Sequence, residues 1–196
     1  MSYNFKYVWL GLFAVIFISL ACGVRAQDIM CIEAESATEL KGPVRVVDSV
    51  KALTNRNIKV VSGASGGKYL EIPRKDPVSD LVPASAGKSS ADDKKGQALL
   101  DVKIPGEGKY FFWARVWWAG ECSNSFIVEI DGSQSFTFGE DNTFKCWHWV
   151  KAVGRIDLSK GKHQFKIRER EQNIRIDQVL LTSDKRYVPV GAEKAR

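Results

Sequence analysis

Histidine occurs only twice in 196 residues. No H-E-x-x-H is present and no glycine loop of the kind that cradles phosphate. Cysteine is sparse, with four in the chain, no C-x-x-C and no Cys/His spacing suited to zinc. Together these gaps exclude a ready-made zinc protease, a nucleotide-binding loop and a thioredoxin-like redox pair. A glycosidase could still use two carboxylates far apart in sequence, but no other catalytic set stands out, and the chain reads as a non-enzyme. No block of like charge accompanies the net charge of +6, so nucleic acid is not the expected partner. Helical periodicity is almost absent, which argues against a bundle.

A long membrane-spanning run is missing too. Lys6 precedes Val8 to Ala21, an uncharged, mostly apolar stretch of 14 residues, short for a span and typical of an export signal. Small residues at Val24 and Ala26 predict cleavage before Gln27. Cys22 as a lipidated first residue is the alternative. Either way the protein is expected outside the cytoplasm: secreted, periplasmic or at the cell surface. Loss of residues 1–26 removes Lys6, Arg25 and no acid, so +6 becomes +4. That mild excess is compatible with an acidic polysaccharide, and equally with an ordinary solvated surface. Three cysteines remain. Cys122 and Cys146 lie at strand ends with turn-like sequence between them, so a disulfide between them is expected in an oxidising compartment, with no disulfide as the alternative. Cys31 lies in an apolar strand and reads as a buried thiol.

What is present is a series of short β-rich runs broken by Gly, Pro, Asp and Asn. Strands are predicted at Met30–Glu35, Val44–Val47, Lys59–Val61, Lys68–Ile72, Gln97–Val102, Gly108–Trp118, Ser125–Ile130, Ser135–Phe138, Trp147–Val153, Lys162–Glu169 and Ile174–Leu181. Runs of this length and spacing predict an all-β antiparallel sandwich in one domain, residues 27–184. Asp131–Gly132 marks a hairpin. Arg74 to Gly96 is polar and reads as a long surface loop. Residues 185–196 read as a C-terminal extension with a frayed end.

Two groups of residues suggest chemistry. Glu33 and Glu35 are two apart in the first strand, so both carboxylates share a face, and a pair of hard oxygen donors suits calcium. In "GKYFFWARVWW", Phe112, Ala114, Val116 and Trp118 share one face, with Trp113, Arg115 and Trp117 on the other. The arginine marks the second face as the less buried one. Trp147 and Trp149 share a face of a later strand. An aromatic ring with a few polar neighbours is what small-ligand sites have in common. His148 and His163 read as structural or surface residues.

The ordered series "IEAES", "GASGGKYLEIP", "GKYFFWARV", "SNSFIVEIDG", "WHWV", "IDLSKGKHQFKI" and "NIRIDQVLLTSD" resembles the carbohydrate-binding modules of families 6 and 35. The resemblance covers roughly residues 32–184. It implies a galactose-binding-like jelly roll and a structural Ca2+ whose ligands match Glu33, Glu35 and Asp177. It also implies a sugar site at the loops, with Trp147 as stacking ring and Trp118 nearby, or one on a sheet face at Trp113, Arg115 and Trp117. Arg175 stands where many relatives have Asn, and Asn173 lies two residues earlier; an arginine there suits an anionic sugar. Parity turns Trp117 outward, whereas the loop-site analogy favours Trp118. The resulting expectation is a monomeric, non-catalytic module that binds a polysaccharide or glycan. The alternative is a structural or adhesive cell-surface module that binds a protein partner.

Overall fold

The computed structural model describes residues 29–52, 60–74 and 95–195. The expected export signal, Cys22 and most of the expected Arg74–Gly96 loop lie outside the described residues. Twelve strands form two antiparallel sheets: β1 (Ile29–Glu33), β2 (Glu39–Lys41), β3 (Arg45–Asp48), β4 (Lys68–Ile72), β5 (Gln97–Ile104), β6 (Gly108–Trp118), β7 (Ser125–Ile130), β8 (Gln134–Gly139), β9 (Trp147–Lys151), β10 (Ile156–Leu158), β11 (Gly161–Glu169) and β12 (Ile174–Thr182). One sheet runs β2-β5-β11-β7-β8. The other centres on β6 and β12, which pair with each other. Each of these long strands serves two partners on its far edge. β6 pairs with β10 through its first residues and with β9 through its last. β12 pairs with β4 and then with β1. The result is the predicted β-sandwich jelly roll.

The core lies between the sheets and follows the alternation of β6. Tyr110, Phe112, Ala114, Val116 and Trp118 are all essentially inaccessible and meet Phe126, Phe138 and Phe165 from the other sheet. Phe112 takes Phe138 edge-on at 5.2 Å and stacks on Phe165 at 6.1 Å, both favourable aromatic arrangements.

The opposite face of the β6–β12 sheet is not the open surface its arginine suggests. Trp113 and Arg115 are each 8% exposed. Two segments cover them. Residues 185–195 fold back across the sheet: Trp149 Nε1 donates to the Gly191 carbonyl (2.7 Å), and Gln178 exchanges two hydrogen bonds with the Glu193 backbone (2.7 and 2.9 Å). The extension is thus tied down. It closes a small cluster of Cys31, Trp113 and Leu180 with Tyr187 and Trp149. Val60 to Ala64, part of which was expected as a strand, is instead irregular and packs on Val47, Tyr69 and Trp147.

β12 carries the feature that organises this face. Its pairing with β6 slips at Asp177, between Ile176 opposite Val116 and Gln178 opposite Arg115. This β-bulge adds one residue to β12. Asp177 and Gln178, consecutive in sequence, therefore both engage groups of the outer face.

Candidate functional site

A single row of paired residues crosses the outer face. Trp147 on β9 opposes Trp117 on β6, which opposes Arg175 on β12. Arg175 opposes Glu71 on β4, and Glu71 opposes Arg45 on β3. Non-adjacent residues come together because each occupies the outward position of its strand at one register. Glu71 Oε1 accepts from Arg175 Nη2 at 3.0 Å, and Oε2 from Arg45 Nε and Nη2 at 2.9 and 2.7 Å. The Arg175 guanidinium lies over the Trp117 ring, 4.5 Å from its centroid, a cation–π contact.

Beside the Trp117–Arg175 step of this row is a cleft of about 530 Å³. Trp117, Asn173 and Arg175 line it, with Lys145 beside them and Val60 to Ser62 as one wall. The structure thus brings together three of the seven predicted sugar-site residues, Trp117, Asn173 and Arg175. Asn173 has a left-handed backbone (φ 59°), a conformation Asn tolerates better than most side chains. Arg175 is 4% exposed, and its Nε and Nη1 are buried without an acceptor. Lys145 and the Val60–Ser62 wall carry no sequence signal, since nothing local links them to β12.

Trp118 is a correction. It is fully buried, packs on Phe126 at 6.1 Å, and its Nε1 donates to Asp141 Oδ1 at 3.0 Å. The β6 alternation runs unbroken to the strand end, so parity holds and Trp117 is the outward ring. Trp147 is half-buried. Its Nε1 donates to the Ser62 carbonyl at 2.9 Å, and its ring packs on Tyr69 at 5.6 Å. It supports the cleft wall and does not line the cleft. Of the sheet-face candidates, Trp113 lies under the C-terminal extension and Arg115 is ion-paired with Asp177; only Trp117 reaches the cleft.

The cysteines also depart from expectation. Cys122 and Cys146 are both free and exposed. Cys122 sits in the Gly120–Ser123 turn, facing Asn173 and Gln172. Cys146 heads β9, just after Lys145, whose N–H is bonded to the Trp118 carbonyl. Cys122 lies in the turn after β6 and Cys146 immediately before β9, and they form no bond to each other. Alkylation of the folded protein is expected to modify two thiols, with Cys31 reacting only after unfolding; intact mass before and after denaturant checks this. Cys31 is buried, and burial together with the nearby Glu33 carboxylate pushes its thiol up to about 12.

The acidic group lies beside the bulge. β1 ends at Glu33, and Ala34–Ser36 is a 3₁₀ turn. Glu33 and Glu35 therefore do not share the strand face that parity predicts, yet both carboxylates lie within electrostatic reach of Asp177. Burial, with Glu33 and Asp177 adding repulsion, pushes Glu35 up to about 7. Glu33 Oε1 accepts from Ser65 Oγ (2.9 Å) and Gln178 Nε2 (3.0 Å), while Glu33 Oε2 and Glu35 Oε2 are buried without a partner. Two orphaned carboxylate oxygens are what a hard cation would satisfy. Asp177 fits less well. Its Oδ1 accepts from the Ser65 N–H and its Oδ2 from Arg115 Nη1, so both oxygens are engaged. Among the described residues no three His, Cys, Asp or Glu side chains converge as a metal cluster.

Gly63 to Gly67 spells G-x-S-x-G, the spacing of a nucleophile elbow. Its serine, Ser65, opens a 3₁₀ turn, not a helix, and is bonded to Glu33 and Asp177. Both histidines are engaged elsewhere: His148 on Asp141 and the Cys146 carbonyl, His163 on Asp131 and Ser159. No Ser–His pair therefore forms at Ser65.

No family model matches the sequence, and no curated protein matches it. Solved structures do. A GH26-CBM35 β-(1,4)-mannanase from Podospora anserina is similar at 15% identity and a TM-score of 0.55, over 81% of this chain and 28% of that one. An exo-β-1,3-galactanase from Phanerochaete chrysosporium is similar at 14% identity and a TM-score of 0.52, over 78% and 29%. A Cry1Da tryptic core variant from Bacillus thuringiensis reaches a TM-score of 0.54 at 14% identity, over 79% and 23%. The chain spans less than a third of each of these proteins. At such identities the likeness is one of fold. What the chain shares with them is an antiparallel two-sheet β-sandwich.

Proposed function

We propose that this protein is a non-catalytic carbohydrate-binding module that holds a glycan in the Trp117–Asn173–Arg175 cleft. The observation that carries this reading is the cleft itself: an aromatic ring from the end of β6 and an amide and a guanidinium from the start of β12 converge on one open space, the mixture small-ligand sites share. Its described lining contains no carboxylate, so nothing there resembles the acid pair of a glycosidase. The excess of basic groups suits an acidic glycan. A calcium ion held by Glu33 and Glu35, completed by backbone carbonyls, supports the fold by linkage; Asp177 joins it only by giving up Arg115.

The adhesive alternative has one observation in its favour. The Trp147 ring is committed to Tyr69 and Ser62, and a module that lost its sugar site would also look like this.

A glycan array separates the two. Binding to a defined glycan, about tenfold weaker or worse in Trp117→Ala with the melting temperature kept within a few degrees, is the expected result. A folded, calcium-loaded protein that binds no glycan, or one whose binding ignores Trp117→Ala, would sink the cleft reading.

A further inference from the structure

We infer that Arg115 and Asp177 are positioning residues: their buried ion pair fixes the Val60–Ser62 wall, and with it the shape of the cleft, although neither side chain lines that cleft. Only the consequence for binding rests on the glycan reading above; the fastening of the wall does not.

Three observations carry it. The first is how the wall is built. Val60 to Ala64 belongs to no strand, so no ladder holds its backbone groups, and each needs a partner of its own. Side chains of β4, β6, β9 and β12 supply those partners. The Val61 N–H donates to the Tyr69 hydroxyl (3.2 Å), and the Ser62 carbonyl accepts from Trp147 Nε1 (2.9 Å). Next along the chain, the Gly63 carbonyl accepts from Arg115 Nη1 (3.1 Å), and the Ser65 N–H donates to Asp177 Oδ1 (2.8 Å). One ion pair therefore grips the segment on both sides of Ala64, by a carbonyl and by an N–H.

The second is the burial of the pair. Arg115 Nη1 also donates to Asp177 Oδ2, and the two side chains are 10% and 0% exposed. Water neither screens such a pair nor replaces a lost member. The Arg115 guanidinium also lies 5.5 Å from the centroid of the Trp147 ring, the ring that holds Ser62, so it steadies a second fastener.

The third is the bulge in β12. Asp177 is the inserted residue, with none opposite it on β6, and its carboxylate reaches the wall. Its neighbour Gln178 pins the bulge from the other side, donating to Glu33 Oε1 (3.0 Å) and exchanging two hydrogen bonds with the Glu193 backbone (2.7 and 2.9 Å). The resemblance gives Asp177 to calcium; this chain commits one of its oxygens to the wall and the other to Arg115.

The test is hydrogen exchange of the whole chain, read by mass spectrometry on peptides covering residues 60–67 and, for reference, β5 and β11. Arg115→Met and Asp177→Asn are each expected to speed exchange over 60–67 by about tenfold, the loss of a charge-assisted hydrogen bond, with β5 and β11 unchanged. Where a single change unfolds the chain by leaving one buried charge alone, the double variant Arg115→Met with Asp177→Asn removes both and takes its place. Unchanged exchange over 60–67 overturns the inference. So does a loss of protection shared equally by β5 and β11, which would make the pair a general stabiliser. Each measurement is made in calcium and in chelator; protection of 60–67 that follows calcium and ignores both substitutions assigns the wall to the acidic group and overturns it as well. On the glycan array, variants with a loosened wall are expected to bind about tenfold more weakly, because the wall must then be ordered on binding. Full-strength binding by a loosened variant overturns the positioning role and leaves the glycan reading standing. No glycan bound by the unaltered protein, with exchange as expected, brings down the glycan reading and leaves the wall assignment supported.

Discussion

Trp118→Ala is expected to destabilise the protein by about 3–5 kcal/mol, the usual cost of deleting a fully buried aromatic ring. The ring fills the end of the sandwich against Phe126 and is edge-on to His148 at 6.3 Å. Its loss would leave a cavity and strip Asp141 of the indole N–H. Urea denaturation should show a lower midpoint with an unchanged slope. The adjacent substitution, Trp117→Ala, removes a half-buried ring from the cleft edge and is expected to cost far less stability. The contrast is the sharpest test of the register of β6. Equal destabilisation by the two substitutions would mean that the bulge in β12 had shifted the pairing and that the wrong ring had been placed in the cleft.

The second large effect is on pH and calcium. The Glu35 carboxyl is pushed from its ordinary 4.5 up to about 7 in the folded chain. The folded state then binds the proton more tightly than the unfolded state does. The stabilisation is fully present below pH 4.5 and is lost as pH rises through about 7. Water around a carboxyl that is only about half-buried screens this effect, leaving of the order of 1–2 kcal/mol. Asp177, raised by burial against the opposing Arg115, acts in the same direction. Glu129, held low by its bond to Lys166, loses stability only at lower pH. In chelator, the melting temperature should therefore fall by about 2–8 °C between pH 5 and pH 8. Calcium at pH 7.5 should restore it, because the cation replaces the proton as the partner of the orphaned oxygens. Glu35→Gln should raise the melting temperature in chelator at pH 8 and abolish the response to calcium. A flat profile in chelator would show that Glu35 is solvated and that no cation is needed. A normal calcium response in Glu35→Gln would place the ion elsewhere.

The alternation of β6 was readable residue by residue and turned Trp117 outward, while the resemblance pointed to Trp118 at the sugar site; burial of Trp118 decides between them. Arg175 and Asn173 were readable as departures within a recognisable strand. The fate of the outer face was not. Its burial comes from residues 185–195 and from Val60 to Ala64, which reach it through backbone carbonyls and leave no periodic trace. The run Asp177–Gln178 breaks the polarity alternation of β12, and that break is the one sequence signal of the bulge.

Periodicity is a property of neighbours along the chain, so the sequence alone determined the all-β class, the core-facing half of β6 and the opening strand that carries Glu33. Convergence is a property of register between strands distant in sequence. Only the tertiary structure decided that Trp147, Trp117, Arg175, Glu71 and Arg45 form one row, because that row exists only once five strands have paired. The same pairing left Cys122 and Cys146 unbonded, moved Asp177 to Arg115, and left two buried nitrogens of Arg175 without a partner.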